Sequence, residues 1–394
     1  MSGHSDIASQ GEPGPTVAAD LQACATHAKA WMFGKAFPYW AARSWSDEGA
    51  FFETLTMTGD GFRGRESRVR VQARQVYSFA LAAKLGWDED AARDLVVRGL
   101  KVLSDQCRRE DGLYGARIKP GCGLSDERVH LYDNAFALLA FATALDAFGL
   151  DEARTLGQKL SENIDRLLKR PAQEGGYKEC LPAPTRREQN PHMHLCEASI
   201  AWFAASGDEA SLARAKSVAE FVEARFFDRD LGVLVEFVDP SEPKHVEAGH
   251  MFEWVWIMQR LETLARGPIS DWKSKLYAGG LQLMQGNART PLLQEPGGKV
   301  LDGRQRTWIL TEELKAHIAI ARGQLDDAQI ERIGDCTDRL FSHHLLEGLG
   351  GGWLDCVDAQ GEPAVGEMTA ASGYHVFCCL AELMDIAGVQ EPHD

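Results

Sequence analysis

Helices of two kinds alternate along this chain, and this alternation constrains its fold more than any other feature. Glu209–Phe226 and Asp151–Lys169 carry charged residues on one side and Leu, Ala or Val on the other, which is typical of a helix with one face in water. His250–Ala265 and Thr369–Ile386 are apolar on nearly every side, so they must be enclosed by other helices. The sequence therefore predicts outer, half-exposed helices that alternate with inner, buried ones.

The helical periodicity predicts twelve helices in six pairs. They are Val17–Phe33, Glu66–Leu85, Asp88–Cys107, Val129–Phe148, Asp151–Lys169, Met193–Ala205, Glu209–Phe226, His250–Ala265, Ile269–Gln285, Trp308–Ala321, Asp326–His343 and Thr369–Ile386. Six similar units with apolar inner faces bury those faces completely if the stack closes on itself. We therefore expect an all-α fold, a closed ring of six helical hairpins, with an open superhelix as the alternative.

The connections between helices repeat as well. Short turns such as Gly86-Trp87 lead from an inner to an outer helix, and longer segments lead back. The longer segments share a pattern of glycine followed by aromatic or aliphatic residues, as in GLYGARI near Leu113, GGYKECL near Tyr177, LGVLVEF near Val233 and GGWLDCV near Trp353. Each predicts a short strand or hairpin, at the end of the ring that carries the active site.

Composition narrows the classes of function. The net charge of −16 disfavours nucleic acid and anionic membranes as partners, and no stretch approaches the roughly 20 apolar residues that span a bilayer. Nine scattered cysteines without a C-x-x-C pair favour reduced thiols in the cytoplasm. Residues 1–15 are polar and rich in Gly and Pro, which predicts a disordered leader before a single domain at 16–390.

Polar residues fall near the start of each inner helix. They are Arg74, Asp133, His194 with Glu197, His250 with Glu253, Trp308 with Glu312, and His375. The first members are 59, 61, 56, 58 and 67 residues apart, so they follow the helical repeat. Any one of them alone is more often a hydrogen-bonded core residue. Six in phase predict one polar rim, because burying so many polar groups without a purpose is costly.

The residue types leave several chemistries open. His194-x-x-Glu197 and His250-x-x-Glu253 place His and Glu on one helix face, which suits a metal site completed by His375. The same pairs suit acid–base catalysis, because a carboxylate fixes the tautomer of a histidine. Paired carboxylates for glycosidic cleavage are a further alternative. Some aromatic residues are candidates for stacking on a sugar, although core is the better interpretation for the first two: Trp254, Trp256, Trp308, Trp353 and Tyr374.

Six motifs resemble the N-acylglucosamine 2-epimerase family, which includes mannose isomerases and cellobiose 2-epimerases. They are QAR at Gln72–Arg74, YD-x-AF-x-LLA at Tyr132–Ala140, NP-x-MHL-x-EA at Asn190–Ala198, GH-x-x-EW at Gly249–Trp254, R-x-W-x-x-TE at Arg306–Glu312 and YH at Tyr374–His375. The resemblance runs from about Phe37 to Leu383. It implies an (α/α)6 barrel and metal-independent isomerisation or epimerisation through a cis-enediol(ate), with no cofactor.

The resemblance also implies roles for single residues. His375 would remove the C2 proton and return it to C1. His250 would open the sugar ring and move protons at the oxygens, or at the opposite face of C2 in epimerisation, with Glu253 orienting it. The remaining residues would bind or support the sugar: Arg74 and His194 at O1 and O2, Trp308 along the ring, and Glu197 and Asp133 as supporting partners. Trp353 and Glu312 are further candidates for binding the sugar, chosen from the residues themselves.

Two departures from the family pattern bear on the substrate. The segment Ser241–Ala248 lacks an arginine, which disfavours sulfosugars, and ASG before Tyr374 replaces a tryptophan-bearing stretch, which disfavours disaccharides. We therefore expect interconversion of free D-mannose and D-fructose. A 2-epimerase and a non-catalytic sugar- or protein-binding member are the alternatives.

A phosphorylated sugar would need basic residues, and one basic stretch is present. It contains Arg63, Arg65, Arg68 and Arg70, for which a solvated helix start is the better interpretation. The expected partners are a monosaccharide and, in a homodimer, a second copy of the chain.

Overall fold

Two concentric rings of helices make up this protein in a computed structural model, which describes residues 15–389 apart from 185, 240 and 242. The α-helices are α1 Pro15–Trp31, α2 Phe37–Arg43, α3 Val69–Lys84, α4 Glu89–Asp105, α5 Leu131–Phe148, α6 Asp151–Asn163, α7 Asn190–Ser206, α8 Glu209–Phe226, α9 Ala248–Ala265, α10 Trp272–Met284, α11 Thr307–Ala321, α12 Asp327–His343 and α13 Gly373–Ile386. The predicted leader lies outside the described residues except for Pro15, where α1 begins.

The inner ring is closed. Its members are α3, α5, α7, α9, α11 and α13; each packs against the next, and α13 packs against α3. The outer ring contains α4, α6, α8, α10, α12 and the rod formed by α1 and α2, and α1 packs against α12. The predicted (α/α)6 barrel is confirmed, and the open superhelix is wrong.

Short strands occupy the long connections, as the glycine–aromatic pattern predicts. They are β1 Thr54–Thr56, β2 Ser67–Arg68, β3 Arg117–Lys119, β4 Gly123–Asp126, β5 Val129–His130, β6 Cys180–Leu181, β7 Arg187–Glu188, β8 Phe227–Asp228, β9 Val233–Leu234, β10 Phe237–Val238, β11 Leu293–Gln294, β12 Val300–Asp302, β13 Gln305–Arg306, β14 Cys356–Val357 and β15 Glu367–Thr369.

These strands join neighbouring repeats in one recurring way. The segment just before each inner helix pairs antiparallel with the following long connection, as β2 with β3, β5 with β6, β7 with β10 and β13 with β14. Before α9 the same position is held by a bridge between Val246 and Gln294. Before α13, β15 pairs with β1, so Thr369 lies opposite Thr54 and the last repeat is joined to the first. The ring is therefore closed by backbone hydrogen bonds as well as by packed helices.

Some helix boundaries differ from the predicted ones, for local reasons. The first helix does not end at Phe33, because a π-helical turn, Met32–Ala36, carries the rod on into α2. The predicted starts at Glu66 and Val129 are too early, because the residues there form β2 and β5. The predicted start at Met193 is too late, because Pro191 fits the first turn of a helix.

The outer helices have the caps and the small residues that their position requires. The side chains of Asp88, Asp208 and Asp326 accept hydrogen bonds from backbone amides in the first turns of α4, α8 and α12. A Cβ on Gly157 of α6 would lie 2.2 Å from the ring of Trp202 on α7. A glycine is needed there because the two helices approach so closely.

One described helix, α5, is long and apolar enough to cross a membrane by length and composition alone. It is an inner helix of the ring, and 78% of the segment Leu131–Phe148 is buried inside the protein. A buried core helix meets the same criteria of length and composition, and the position of α5 in the inner ring fits that interpretation.

Candidate active site

A cavity of about 380 Å³ opens at the end of the ring where the inner helices begin. Its size lies in the range of about 300–1,000 Å³ that is usual for small-molecule sites. Six of the predicted site residues line it: Arg74, His194, His250, Glu253, Trp308 and His375. The rest of the wall is formed by Tyr132, Asn190, Glu247, Leu292, Leu293, Asp302, Arg306 and Ser372. These six residues lie on five of the six inner helices, α3, α7, α9, α11 and α13, so the helical repeat brings them to one rim.

A larger cavity, of about 490 Å³, lies at the opposite end of the ring, where the inner helices end. Trp256, Arg260, Arg322 and Glu382 are among the residues that line it, and none of its lining residues is a histidine. The titratable groups suited to proton transfer lie at the other end.

His375 sits on a buried chain of charged groups. Its Nδ1 lies 2.7 Å from Oε1 of Glu312, and Oε2 of Glu312 lies 2.7 Å from the ammonium of Lys315. Glu312 and Lys315 are fully buried. Burial lowers the pKa of His375 well below its ordinary value, and the nearby charges of Arg74 and Lys315 act in the same direction. His375 is therefore neutral at neutral pH and can accept a proton.

His250 has the opposite electrostatic surroundings. Its Nδ1 lies 2.9 Å from a carboxylate oxygen of Glu236 and 3.7 Å from one of Glu247. Burial lowers the pKa of His250, but these two carboxylates outweigh burial and raise it to about 10. His250 is therefore an imidazolium at neutral pH and can donate a proton. The expectation that Glu253 orients His250 is wrong, since Glu236 makes that contact from the loop before α9.

Trp308 contacts both histidines. Its ring is stacked on His250, with centroids 4.9 Å apart, and lies 5.8 Å from the ring of His375. Both imidazoles line the same cavity. An acid and a base thus face one compartment across an indole, and no packed layer of the core separates them.

His194 is held by its own helix and by the last one. Its Nδ1 lies 3.1 Å from Glu197, and the other oxygen of Glu197 accepts a hydrogen bond from the hydroxyl of Tyr374. Glu197 does not line the cavity, which agrees with the supporting role expected of it. Tyr374 is fully buried, and the stacking platform suggested for it is wrong.

Arg74 brings a positive charge to the cavity. Its guanidinium donates to the hydroxyl of Tyr132 at 2.8 Å and to the carbonyl of Ala371 at 3.2 Å, and it lies 4.1 Å from the ring centre of Phe136. No carboxylate within the described residues pairs with it. The amino ends of the inner helices add partial positive charge at the same rim. Negative charge that develops on a bound molecule is therefore stabilised here.

Three buried polar atoms in the cavity wall have no hydrogen-bond partner among the described residues. They are Nε of Arg74, Oδ1 of Asn190 and Oε1 of Glu253. Buried polar atoms nearly always have a hydrogen-bond partner, so these three are available to bind polar groups of a ligand or of water. One donor and two acceptors at one cavity match a molecule with several hydroxyl groups.

Four predicted site residues do not line the cavity: Glu197 and Glu312 contact histidines of its wall, whereas Asp133 and Trp353 lie away from it. Asp133 is fully buried in an ion pair with Arg70, and burial raises the pKa of its carboxyl group. Trp353 is stacked on Trp40 in the core and donates to the carbonyl of Thr369, so the expectation that it lines the sugar is wrong. Its place follows from the long connection before α13, which packs against α2 rather than over the rim.

Trp254 and Trp256 are buried, as expected for core residues. Trp254 donates to the side chain of Gln189, and Trp256 donates to Glu382 at the opposite end of the ring. Neither residue lines the candidate site.

The basic stretch before α3 is compensated by acids. Each of its four arginines forms an ion pair: Arg63 with Asp47, Arg65 with Glu367, Arg68 with Glu53 and Arg70 with Asp133. None of the four lines the cavity. The solvated helix start therefore fits these residues better than a phosphate site does.

Three groups of side chains near the cavity have ligand atoms close enough to hold a metal ion: His194 with Glu197 and Glu253, Glu253 with Glu312 and His375, and His250 with Glu236 and Glu247. In the third group His250 itself is held as a cation, which disfavours a metal ion there. Glu312 is already neutralised by Lys315, and Glu197 is already bound by Tyr374. A metal ion would have to compete with these contacts.

Several wall residues were not selected from the sequence. Tyr132, Asn190 and Arg306 lie inside the motifs quoted above, next to residues that were chosen. Glu247 of the wall, and Glu236 beside His250, belong to the connection before α9, which has no helical periodicity, so no sequence signal marks them. A further residue, Lys315, lies one helical turn after Glu312, and opposite charges at this spacing are a signal that could have identified it.

Comparisons with known proteins agree with this geometry. A family model described as N-acylglucosamine 2-epimerase matches residues 50–379. The chain is 31% identical to a mannose-6-phosphate isomerase of Rhizobium meliloti, over 93% of this chain and 98% of that relative. It is 23% identical to a D-mannose isomerase of Marinomonas mediterranea, over 79% of this chain and 84% of that relative. The solved structure of a cellobiose 2-epimerase from Spirochaeta thermophila has the same fold, with a TM-score of 0.86 at 18% identity, covering 95% of this chain and 99% of that one.

Proposed function

The chain belongs to the N-acylglucosamine 2-epimerase family and is an isomerase or epimerase, and from that premise we propose that it interconverts free D-mannose and D-fructose. The observation that carries the proposal is the pair of histidines in one cavity. His375 is held neutral and His250 is held protonated, on either side of Trp308. Groups whose pKa values are driven apart in this way serve as base and acid in one reaction.

Proton transfer between C2 and C1 needs both groups. In the open-chain aldose, Nε2 of His375 removes the proton from C2 while His250 donates a proton to the carbonyl oxygen O1, which gives a cis-enediol. His375 then returns its proton to C1, and the proton on O2 passes back to His250 as the C2 carbonyl forms. No atom is gained or lost, and Arg74 and His194 stabilise the negative charge that develops on O1 and O2.

The fixed protonation states favour isomerisation over epimerisation. In isomerisation each histidine returns to its starting state within one turnover. A two-base epimerase ends its turnover with the proton moved from one base to the other. The surroundings of the two histidines make such a net proton transfer between them unfavourable, because they stabilise His250 as a cation and His375 as a neutral imidazole.

Mannose is proposed from the relatives, and the unphosphorylated form from the charges of the cavity. The two curated relatives are named for mannose or its 6-phosphate. In the described wall, the charge of Arg306 is balanced by Asp355, and that of Asp302 by Arg304. Arg74 is buried at the rim of the inner helices, where O1 and O2 are expected. A phosphate dianion would find no further arginine of the described wall without a carboxylate partner, whereas a neutral sugar needs none.

The test is to incubate chelator-treated protein with D-mannose and to follow D-fructose by chromatography. We expect fructose without added metal, and a value of kcat/KM for mannose 6-phosphate at least about 10-fold below that for mannose, which is about 1.4 kcal/mol of discrimination. Glucose without fructose would assign a 2-epimerase instead.

Two further results would each overturn the proposal. Activity that disappears on chelation and returns with zinc or manganese would favour a metal mechanism. Sugar binding in calorimetry without turnover of any aldose would assign a binding protein.

A further inference from the structure

Lys315 is a buried lysine that the proposed mechanism does not use. It lies on α11 and is fully buried, with its ammonium 2.7 Å from Glu312 and 3.7 Å from the ring centre of Trp256. The thiol of Cys378 lies 4.0 Å away on α13. A buried ammonium is costly unless an anion pairs with it, and Glu312 is the carboxylate in contact.

Glu312 stands between this lysine and His375. Burial raises the pKa of Glu312 well above its ordinary value, the carboxylates of Glu253 and Glu197 act in the same direction, and Lys315 opposes them. Burial lowers the pKa of Lys315, but Cys378, Glu312 and other nearby acids outweigh burial and raise it, so the lysine is charged. Burial raises the pKa of Cys378 to about 12, so its thiol is neutral and is no counter-ion. Glu312 is therefore the group in contact that can balance the charge of Lys315 at neutral pH, and Lys315 in turn opposes the rise in the pKa of Glu312 and favours its ionised form.

The ionisation of Glu312 decides which nitrogen of His375 carries the proton. An ionised Glu312 only accepts hydrogen bonds, so Nδ1 of His375 must donate to it, and the lone pair of Nε2 is left for the substrate. A protonated Glu312 donates to Nδ1 instead. The imidazole then carries its proton on Nε2 and has no lone pair for the cavity.

We propose that Lys315 is the positioning residue that keeps Glu312 an acceptor and thereby fixes His375 as the Nδ1–H tautomer, with Nε2 free as the base. The inference rests on the proposed function for the role of His375 as a base. Its structural part, the tautomer, stands apart from any substrate. Lys315 acts only through Glu312 and does not line the cavity.

The tautomer can be read directly by NMR. In protein labelled with ¹⁵N-histidine, a long-range ¹H–¹⁵N correlation distinguishes the protonated nitrogen of each ring, and His375 is assigned by its loss in His375→Gln. We expect Nδ1–H in the wild type and Nε2–H in Lys315→Met. Nε2–H in the wild type would overturn the proposal, and this measurement needs no variant of Lys315 to fold.

Glu312→Gln supplies a second test, in which a second substitution is expected to restore activity. Residues with a merely structural role would not show such a recovery. In this variant Lys315 attracts the amide oxygen, so the NH2 group faces Nδ1 and again forces Nε2–H. In the double variant Lys315→Met/Glu312→Gln the amide can turn its oxygen to Nδ1 and restore the active tautomer. We expect each single variant to lose at least about 100-fold in kcat, the scale of general-base catalysis, and the double variant to be about 10-fold faster than Lys315→Met.

The outcomes separate this inference from the proposed function. A double variant as slow as, or slower than, Lys315→Met would overturn the inference, because independent losses do not cancel. If mannose is not converted but the tautomer changes as expected, the inference stands and the proposed substrate fails. If mannose is converted while wild-type His375 carries its proton on Nε2, the inference fails and the proposed function stands.

Discussion

The surroundings of His250 and His375 differ in the charge that lies beside the nearest carboxylate, which is a second acid at His250 and a buried cation at His375. Each imidazole contacts a carboxylate through Nδ1, at 2.9 Å for His250 and 2.7 Å for His375. The carboxylate beside His375 is neutralised by Lys315, whereas the acids beside His250 have no lysine in contact within the described residues. His250 is therefore held as an imidazolium and His375 as a neutral base.

The comparison shows that a His–Glu contact does not by itself set the charge of a histidine. The charge depends on what the carboxylate meets on its other side. At His250 a second acid, Glu247, adds to the first, and at His375 an ammonium cancels it. Two similar pairs thus supply an acid and a base to one cavity.

The largest expected effect comes from removing the proposed base, His375. We expect His375→Gln to reduce kcat by at least about 1,000-fold, since it removes the only proposed base. The matched control is His317→Gln, because His317 is also buried and neutral, with a pKa lowered to about 4, but does not line the cavity. The control should keep a near-normal rate. Near-normal turnover by His375→Gln in a steady-state assay would remove His375 from the mechanism.

A smaller effect is expected on the side of the acid. With a pKa of about 10, His250 stays protonated up to that pH, so activity should fall only as the pH rises through about 10. Glu236→Gln removes the nearest carboxylate and lowers the pKa of His250. We expect this variant to lose about 10- to 100-fold of wild-type kcat/KM at pH 9 and much less at pH 6.5.

Glu253→Gln is the matched control for the position of this alkaline limb. Glu253 lies in the same cavity without contacting His250, and it raises the pKa of His250 less than Glu236 does, so its replacement should move the limb less than Glu236→Gln does. A limb that moves with Glu253→Gln and not with Glu236→Gln in the pH–rate profile would return the orienting role to Glu253.

The smallest expected effect is on stability. The folded-state pKa of His250 exceeds its ordinary value of 6.5. Its contribution is therefore fully present below pH 6.5 and is lost as the pH rises through about 10. Urea unfolding should show that Glu236→Gln lowers the free energy of unfolding by about 1–3 kcal/mol more at pH 6.5 than at pH 10. Glu247, whose pKa is raised to about 7, acts in the same sense at lower pH, because its raised pKa makes the stability fall as the pH rises towards 7; wild type and variant are therefore compared at each pH. An equal difference at both values would mean that Glu236 does not hold the charge of His250.

The sequence predicts the fold because the fold depends on periodicity. Apolar helices such as His250–Ala265 must lie inside, and the spacing from Arg74 to His375 follows the repeat, so the shared rim could be predicted. Contacts across the rim could not. His250-x-x-Glu253 has the same spacing as His194-x-x-Glu197, yet only the second pair forms, because a loop carboxylate reaches His250 first.

Trp353 shows the same limit for an aromatic residue. A tryptophan in a long connection is equally compatible with the rim and the core, and the choice is made by Trp40, on which Trp353 stacks. Trp40 lies on α2, beyond the predicted end of the first helix. The cytoplasmic location and the homodimer remain predictions.

The pairing of β15 with β1 has a consequence for the order of synthesis. A growing chain that emerges from the ribosome already contains Arg74, His194 and His250, but it lacks both the strand that closes the ring and the helix that carries His375. In most repeat proteins each repeat can pack against its neighbour as it is synthesised, whereas here the first repeat can pair with its partner strand only after the last repeat has been made. The proton acceptor therefore arrives together with closure, and a nascent chain is expected to be unable to turn over substrate.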